Sequence, residues 1–257
     1  MIIEIRNLSF AYHSKPVLSD INIKLVPGIT AILGPNASGK STLIKCLFGI
    51  LKSRGEILFD NKHISAFHRN DLSKIISYLP QESPVSAVLT VFEAVLIGRI
   101  HQLGWKISRD DVEFVNQLLK EVGLTDIAER MLNELSGGQR QMVFITQTIA
   151  KNPQLLLMDE PTSNLDLQHQ FQICEWIKSL TVSRDMCTVI ALHDINIAAR
   201  FADRICVLKE GKVFAQGDPA SVITSKMIAS LYNIEASVKL DEFDKPLVTP
   251  LRAIKSK

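Results

Sequence analysis

Gly34-Pro35-Asn36-Ala37-Ser38-Gly39-Lys40-Ser41-Thr42 is the stretch on which the fold turns. It fits G-x-x-x-x-G-K-[ST], a loop whose backbone N–H groups wrap phosphates because glycine leaves them unobstructed. The apolar run at 30–33 reads as a short strand feeding the loop, and 41–48 carry the spacing of a helix. Strand, glycine loop, helix is the context such a loop needs, since the helix aims its positive dipole end and its uncommitted N–H groups at an anion. Within it, Lys40 is placed to reach the β and γ phosphates of a nucleotide, and the Ser41 hydroxyl to ligate Mg²⁺. Gly34, Asn36, Ala37, Ser38, Gly39 and Thr42 complete the candidate cradle. A glycine-rich turn alone would not explain a lysine and a hydroxyl in fixed succession.

Further along, Leu155-Leu156-Leu157-Met158-Asp159-Glu160 is an apolar run ending in two carboxylates, as expected of a buried strand that opens onto a ligand crevice. Burying two acids without a cation is expensive. A magnesium ion held by Ser41 resolves this for Asp159, and leaves Glu160 to orient or deprotonate an attacking water. A solvated acidic turn is the ordinary alternative for the segment taken alone.

Leu135-Ser136-Gly137-Gly138-Gln139 is a second glycine-rich stretch that opens a helix, with apolar residues at 142, 145 and 149 and a stop at Asn152-Pro153. One nucleotide does not need two such loops. In isolation it is an ordinary capped helix start; beside the first loop it becomes a candidate anion site, with Ser136 adding a hydroxyl donor.

The remaining pattern bounds the class of protein. At 257 residues the chain can bury a substantial core, as one domain or a core with an inserted subdomain. A formal charge of +2, with basic and acidic residues interspersed, gives no support to a nucleic-acid surface. Mean hydropathy is +0.15, yet no apolar stretch has the length of a membrane helix, and the first ten residues lack the layout of a secretory signal, which predicts cytoplasmic residence. Cys46, Cys174, Cys187 and Cys206 have no paired spacing and read as reduced core residues. Strands are expected at 2–10 and 17–25 as an antiparallel edge, then at 55–59 and 75–79. The pattern turns helical from 89 to 151, with helices at 91–98 and 111–122, the latter closed by Gly123. Buried strands return at 155–158, 188–192 and 205–208, with helices at 167–180 and 195–202 between them and a turn at 209–212 into a strand at 213–216. The tail 235–257 is polar, contains Pro246 and Pro250, and reads as a peripheral extension of little periodicity.

Taken in order, these segments resemble the nucleotide-binding subunit of an ATP-binding cassette (ABC) transporter over nearly the whole chain. The loop at 34–42 matches its Walker A segment, 155–160 its Walker B segment, and 135–139 with Arg140-Gln141 its signature, the element that separates this family from other phosphate-loop ATPases. The resemblance assigns Tyr12 to adenine stacking, Gln81 to a loop touching Mg²⁺ and water, Ser163-Asn164-Leu165-Asp166 to a loop in which Asp166 borders the nucleotide, and His193 to a switch residue contacting the γ-phosphate and supporting Glu160. Taken singly, each has an ordinary reading as a surface tyrosine, a loop glutamine, a helix cap or a strand-end polar residue. Ala37 departs from the family's usual glycine, and a Cβ there is expected to be tolerable only with φ below zero.

What the resemblance implies is an α/β protein: a P-loop NTPase (RecA-like) core at 1–81 and 153–234 with an antiparallel β subdomain, a helical insertion at 82–152, and the extension at 235–257. It implies an ATPase using ATP and Mg²⁺, with Lys40, Gln81, Glu160 and His193 catalytic, Ser41, Gln81 and Asp159 at the metal, and Ser136, Gly138 and Gln139 completing a neighbour's site in a head-to-tail homodimer. Separate multi-span permease subunits would carry the translocation path and a substrate-binding protein would act indirectly, placing this chain on the cytoplasmic face of the plasma membrane. Residues 84–99 and the insertion would offer the groove for a coupling helix. Residues 89–99 and 192–203 look most like the ATPases of ferric-siderophore, haem and cobalamin importers. A soluble cassette acting on DNA or ribosomes is the rival; it usually carries a long coiled-coil insertion or two cassettes per chain. A regulatory subunit unable to hydrolyse ATP is a second, opposed by the presence of Lys40, Asp159, Glu160 and His193.

Overall fold

The chain opens with alternating apolar residues that pair at once: β1 (Ile3–Tyr12) runs antiparallel to β2 (Lys15–Leu25), joining Ile5 to Ile23 and Leu8 to Ile21. The computed structural model describes residues 1–81, 88–100, 107–163 and 165–254, apart from the side chain of Arg69. In chain order there follow β3 (Gly28–Leu33), α1 (Lys40–Phe48), β4 (Arg54–Phe59), β5 (Lys62–His63), α2 (Arg69–Ile75), β6 (Ile76–Leu79), α3 (Val91–Ile97), α4 (Arg109–Glu121), α5 (Gly137–Ala150), β7 (Leu155–Asp159), α6 (Leu167–Ser183), β8 (Cys187–Ala191), α7 (Ile195–Phe201), β9 (Arg204–Lys209), β10 (Lys212–Gly217), α8 (Pro219–Val222), α9 (Ser225–Tyr232), β11 (Ile234–Leu240) and β12 (Pro246–Ala253).

Three sheets result. Six strands in the order β10-β9-β3-β8-β7-β6 form the central one, parallel except for the β9–β10 hairpin, and β2-β1-β4-β5 form an antiparallel one. The central strands are apolar on both faces because both faces are covered. Leu156, Met158, Ile190 and Val207 point into an apolar cluster with α3, α5, α6 and α7. Their neighbours Leu155, Leu157, Val189 and Cys206 point into a second cluster with α1 and the antiparallel sheet. Alternation at period two is what lets one sheet serve two cores. The fold is thus the mixed α/β architecture anticipated, with the four cysteines buried and free; burial pushes each thiol up to about 12.

The helical stretch is held by side-chain detail that the periodicity did not contain. α4 starts two residues ahead of expectation, capped by Ser108 in a box with Asp111, and Arg99 donates to Asp111 Oδ1 at 3.1 and 3.0 Å while lying 4.2 Å over the Phe114 ring. Thr90 and Glu93 form the same box on α3. At the other end of the chain, the tail expected to lack periodicity forms the β11–β12 hairpin, turned by Asp241, whose carboxylate accepts from the N–H groups of Phe243 and Lys245. The pattern is weak for a physical reason. Only Ala236, Pro246 and Val248 of this two-stranded sheet are buried, and both prolines lie in β12, a strand with a single partner, where a missing N–H is tolerated. Helices α2, α8 and α9, of seven, four and eight residues, also escape the sequence reading.

Candidate nucleotide site

β3 ends in the loop at 34–39, and the loop is shaped by glycines with no alternative. Gly39 has φ 105°, and a Cβ there would stand 2.6 Å from Leu18 Cδ2. It begins α1 with no side-chain cap, so the first-turn N–H groups of the helix remain directed at the cleft. Ala37 has φ 62°, which overturns the expectation of a negative φ. Alanine enters the left-handed well at a cost of roughly 1 kcal/mol. A turn bond from Ser38 N to Pro35 O, 3.2 Å, holds the loop in that shape.

Lys40 is buried and folds back on the loop, donating from Nζ to Gly34 O at 2.9 Å and Pro35 O at 3.3 Å. Burial lowers its pKa, and the carboxylates of Glu160 and Asp159 oppose that shift. At the end of β7, Asp159 is 2% exposed and its Oδ1 accepts from Ser41 Oγ at 2.9 Å. Burial pushes this carboxyl above the usual range, with the Ser41 bond working the other way. The next residue, Glu160, bends the chain with φ 54°, a conformation that a non-glycine residue adopts under constraint. Its N–H donates to Ala191 O at 3.1 Å, and its carbonyl accepts from Ser163 N and Oγ at 3.2 and 2.9 Å. The bend sends the carboxylate into the cleft, where Gln81 Nε2 donates to Oε2 at 2.6 Å and His193 Nε2 bonds Oε1. Strand ends β6, β7 and β8 thereby deliver one side chain each to a single cluster.

Lys40, Ser41, Gln81, Glu160 and His193 line a cleft of about 770 Å³ together with Tyr12, Asn36, Ala37, Ser38, Gly39 and Thr42. Tyr12 is 44% exposed, its ring edge-on to Phe10 with centroids 4.8 Å apart. Sequence reading missed five further wall residues: Lys15, Pro16, Val17, Glu210 and Gly211. The 209–212 turn was legible, but its contact with the phosphate loop was not: Gly211 N donates to Ser38 O at 3.2 Å, and its Cβ position lies 2.1 Å from Val17 O, so no side chain fits. Gly34 and Asp159 stand behind the wall.

Ser136, Gly138, Gln139 and Asp166 are absent from this wall among the described residues. Ser136 caps α5, its Oγ accepting from Gln139 N while Gln139 Oε1 accepts from Ser136 N. Asp166 caps α6 through His169 N at 2.9 Å. The two caps are neighbours in cis: Gln141 Nε2 donates to Pro161 O at 3.1 Å, and a Cβ on Gly138 would come within 3.3 Å of Leu165. Asn164 lies outside the described residues, as do 82–87 of the expected coupling groove.

A parallel sheet with a glycine loop at its crest, paired carboxylates on the adjoining strand and a separate serine-glycine helix start defines a cassette-type P-loop ATPase. The chain belongs to the ABC transporter family, whose model matches residues 18–163. It is similar to an uncharacterised ABC transporter ATP-binding protein of Methanocaldococcus jannaschii, 38% identical over 98% of both chains. It is also similar to the iron(3+)-hydroxamate import ATP-binding protein of Bacillus subtilis, 35% identical over 97% of this chain and 94% of that one. Among solved structures it superposes on an inward-facing metal-chelate type ABC transporter with TM-score 0.83, 28% identity and 97% of each chain covered. A dimeric bacterial ABC transporter cassette gives TM-score 0.75 at 29% identity, covering 84% of this chain and 98% of that one. The protein is an ATPase whose hydrolysis is coupled to transport. None of its described helices is long and apolar enough to cross a membrane.

Proposed function

We propose that this chain powers an importer of chelated iron, of the ferric-siderophore class, through ATP-driven closure of a homodimer. The cargo reading is supported by what the Bacillus relative and the metal-chelate transporter are named for. The observation that carries the mechanism is Glu160, strained into the cleft and gripped at one oxygen by Gln81 and at the other by His193. A carboxylate held at both ends keeps its aim on a water without drifting, and His193 is positioned to share the proton that Glu160 withdraws. Lys40, on donating to a phosphate instead of Gly34 O, stabilises charge on the transferring group.

The residues fit Mg²⁺. The Ser41 hydroxyl and the Asp159 carboxyl set two hard oxygens 2.9 Å apart, burial disfavours that carboxyl as an anion, the setting a divalent cation relieves, and Gln81 retains an amide oxygen for the same ion. Held by these residues, Mg²⁺ would neutralise charge on the phosphates of a bound nucleotide.

Ser136, Gly138 and Gln139 serve a second copy in this reading. Gly137 supports it, because a Cβ there would meet nothing within 4 Å and its φ is not positive. Neither packing nor backbone geometry of the single chain demands glycine at that position, so the demand comes from what approaches it. Asp166 borders the same seam. The core at 1–81 and 153–234 then closes against the insertion at 82–152 of the other copy, and the insertion seats the coupling helix of a separate permease at the cytoplasmic face of the membrane. Glu160→Gln should bind ATP, run as a stable dimer on size-exclusion chromatography with ATP and Mg²⁺, and turn over about 100-fold more slowly. Wild-type hydrolysis in that variant overturns the assignment of Glu160.

A further inference from the structure

We propose that the C-terminal hairpin β11–β12 braces the segment carrying His193, and that Asn196 is the positioning residue through which the brace acts; this rests on the reading of His193 as the partner of Glu160 in hydrolysis. His193 sits in the junction between β8 and α7. Its side chain is 47% exposed, so packing does not fix the ring and its aim is inherited from the backbone on either side. Upstream the backbone is rigid, since β8 is hydrogen-bonded to β3 on one flank and β7 on the other. Downstream lies α7, a helix of seven residues, two turns that have little stability of their own.

The first turn of that helix is fastened from outside. Asp194 caps it by accepting from Asn196 N at 2.8 Å and Ile197 N at 3.0 Å. The Asn196 side chain then pairs with one peptide of β12 on both its atoms: Nδ2 donates to Val248 O at 3.1 Å, and Oδ1 accepts from Val248 N at 2.8 Å. A primary amide has the donor and acceptor this needs; aspartate lacks the donor and alanine lacks both. Val248 is itself buried and in register with Val238, so the peptide that Asn196 grips is fixed by the hairpin ladder. The last turn of α7 is held by the same hairpin, with the Arg200 guanidinium 3.9 Å from Asp241 Oδ2 and 5.0 Å from the centre of the Phe243 ring. The helix that leads into β11 reaches the other side of the cleft, where the buried hydroxyl of Tyr232 faces the backbone of Gly34. One C-terminal segment therefore touches the roots of both the phosphate loop and the His193 junction.

Loosening the first turn of α7 should misplace His193 while leaving the phosphate loop intact, which predicts a loss in kcat without a matching change in KM. The test measures steady-state ATP hydrolysis by the full chain assembled with its membrane subunits, for Asn196→Ala, Asn196→Asp, His193→Ala and the double variant His193→Ala/Asn196→Ala. Asn196→Ala is expected to lower kcat about tenfold with KM for ATP within about twofold, and Asn196→Asp, which keeps one acceptor but sets a second oxygen against Val248 O, to lose at least as much. The double variant is expected to be no slower than His193→Ala, because two residues acting through one group are not additive. Arg252→Ala, which breaks an exposed pair with Glu235 four residues beyond Val248 along β12, should match the parent. An unchanged kcat in Asn196→Ala, or an additive loss in the double variant, overturns the brace. Wild-type turnover in His193→Ala overturns instead the reading on which it rests. If Asn196→Ala does not fold, the nearly isosteric Asn196→Asp carries the same comparison.

Discussion

Two helices in this protein start on glycine, and their starts differ in kind. α1 follows Gly39 in a left-handed conformation with no side-chain cap, and its neighbouring lysine is buried against loop carbonyls. α5 follows Ser136 in an extended conformation with a complete capping box, and Ser136 and Gly137 are exposed. In α1 the orphan N–H groups that any helix leaves are reserved for an anion within the same chain. In α5 one of them is satisfied by Ser136, and the start of the helix faces outward. The glycines repeat the contrast: the fold requires one at 39, where a side chain would strike Leu18, and has no use for one at 137. The phosphate loop is thus open to a ligand within its own chain, whereas the helix start at Ser136 is an exposed surface, which the proposed function gives to a nucleotide brought by a second copy.

The contrast can be broken from either side. Removing the lysine gives the largest effect: Lys40→Ala should lower turnover by about 1000-fold and weaken ATP binding, read by hydrolysis assay and calorimetry. Next comes Gly137→Asp, whose Cβ would meet no described atom within 4 Å beyond its chain neighbours and its own helix backbone. It should leave the thermal midpoint and nucleotide binding by the single chain unchanged while lowering turnover about 100-fold and abolishing the ATP-dependent dimer of a Glu160→Gln background. Loss of nucleotide affinity in the isolated chain would place the signature in the same half-site as Lys40 and erase the distinction.

A smaller effect concerns the buried carboxyl beneath the loop. Burial raises the Asp159 pKa, so the folded chain retains this proton at pH values where the unfolded chain has released it. Its contribution is therefore a loss of stability as pH rises from the ordinary aspartate range through the raised value. Asp159→Asn should remove that segment of the pH dependence in nucleotide-free thermal denaturation, and should also weaken Mg-ATP binding. The smallest effect is at Ala37. Ala37→Gly relieves roughly 1 kcal/mol of left-handed strain but adds entropy to the unfolded chain, so the net change in stability should stay within about 1 kcal/mol and ATP affinity within about twofold. A large shift in either would mean that the Ala37 methyl group contacts the nucleotide.

Much of this was legible because the chemistry at 34–42 and 155–160 is local. A lysine and a hydroxyl after a glycine loop, or two acids after four apolar residues, are read from their neighbours in sequence, and the central strands announce themselves by unbroken apolar runs. Gln81 and His193 were legible only by resemblance, since a loop glutamine and a strand-end histidine carry no signal of their own. What joins them to Glu160 is the parallel order β6-β7-β8, which sets three strand ends side by side across 79 and 33 residues of separation. Lys15 and Glu210 escaped for the same reason: they reach the cleft through the β2 and β9–β10 turns, a proximity fixed by Gly211 against Val17 and not by any local pattern.

The sequence by itself determined the α/β architecture, the phosphate loop, the carboxylate pair and the helix start at Ser136, because each depends on residues within one or two turns of one another. The tertiary structure alone decided the sign of φ at Ala37, the grip of Gln81 and His193 on Glu160, and the pairing of the last strands with the helix after His193. Those features arise where distant segments share one edge of a sheet, and weak periodicity conceals the hairpin, since a two-stranded ladder buries too little to leave a trace in composition. Glycine 137 marks the boundary between the two kinds of knowledge. Its presence is written in the sequence, and the open space that a Cβ on it would enter among the described residues is visible only in the fold.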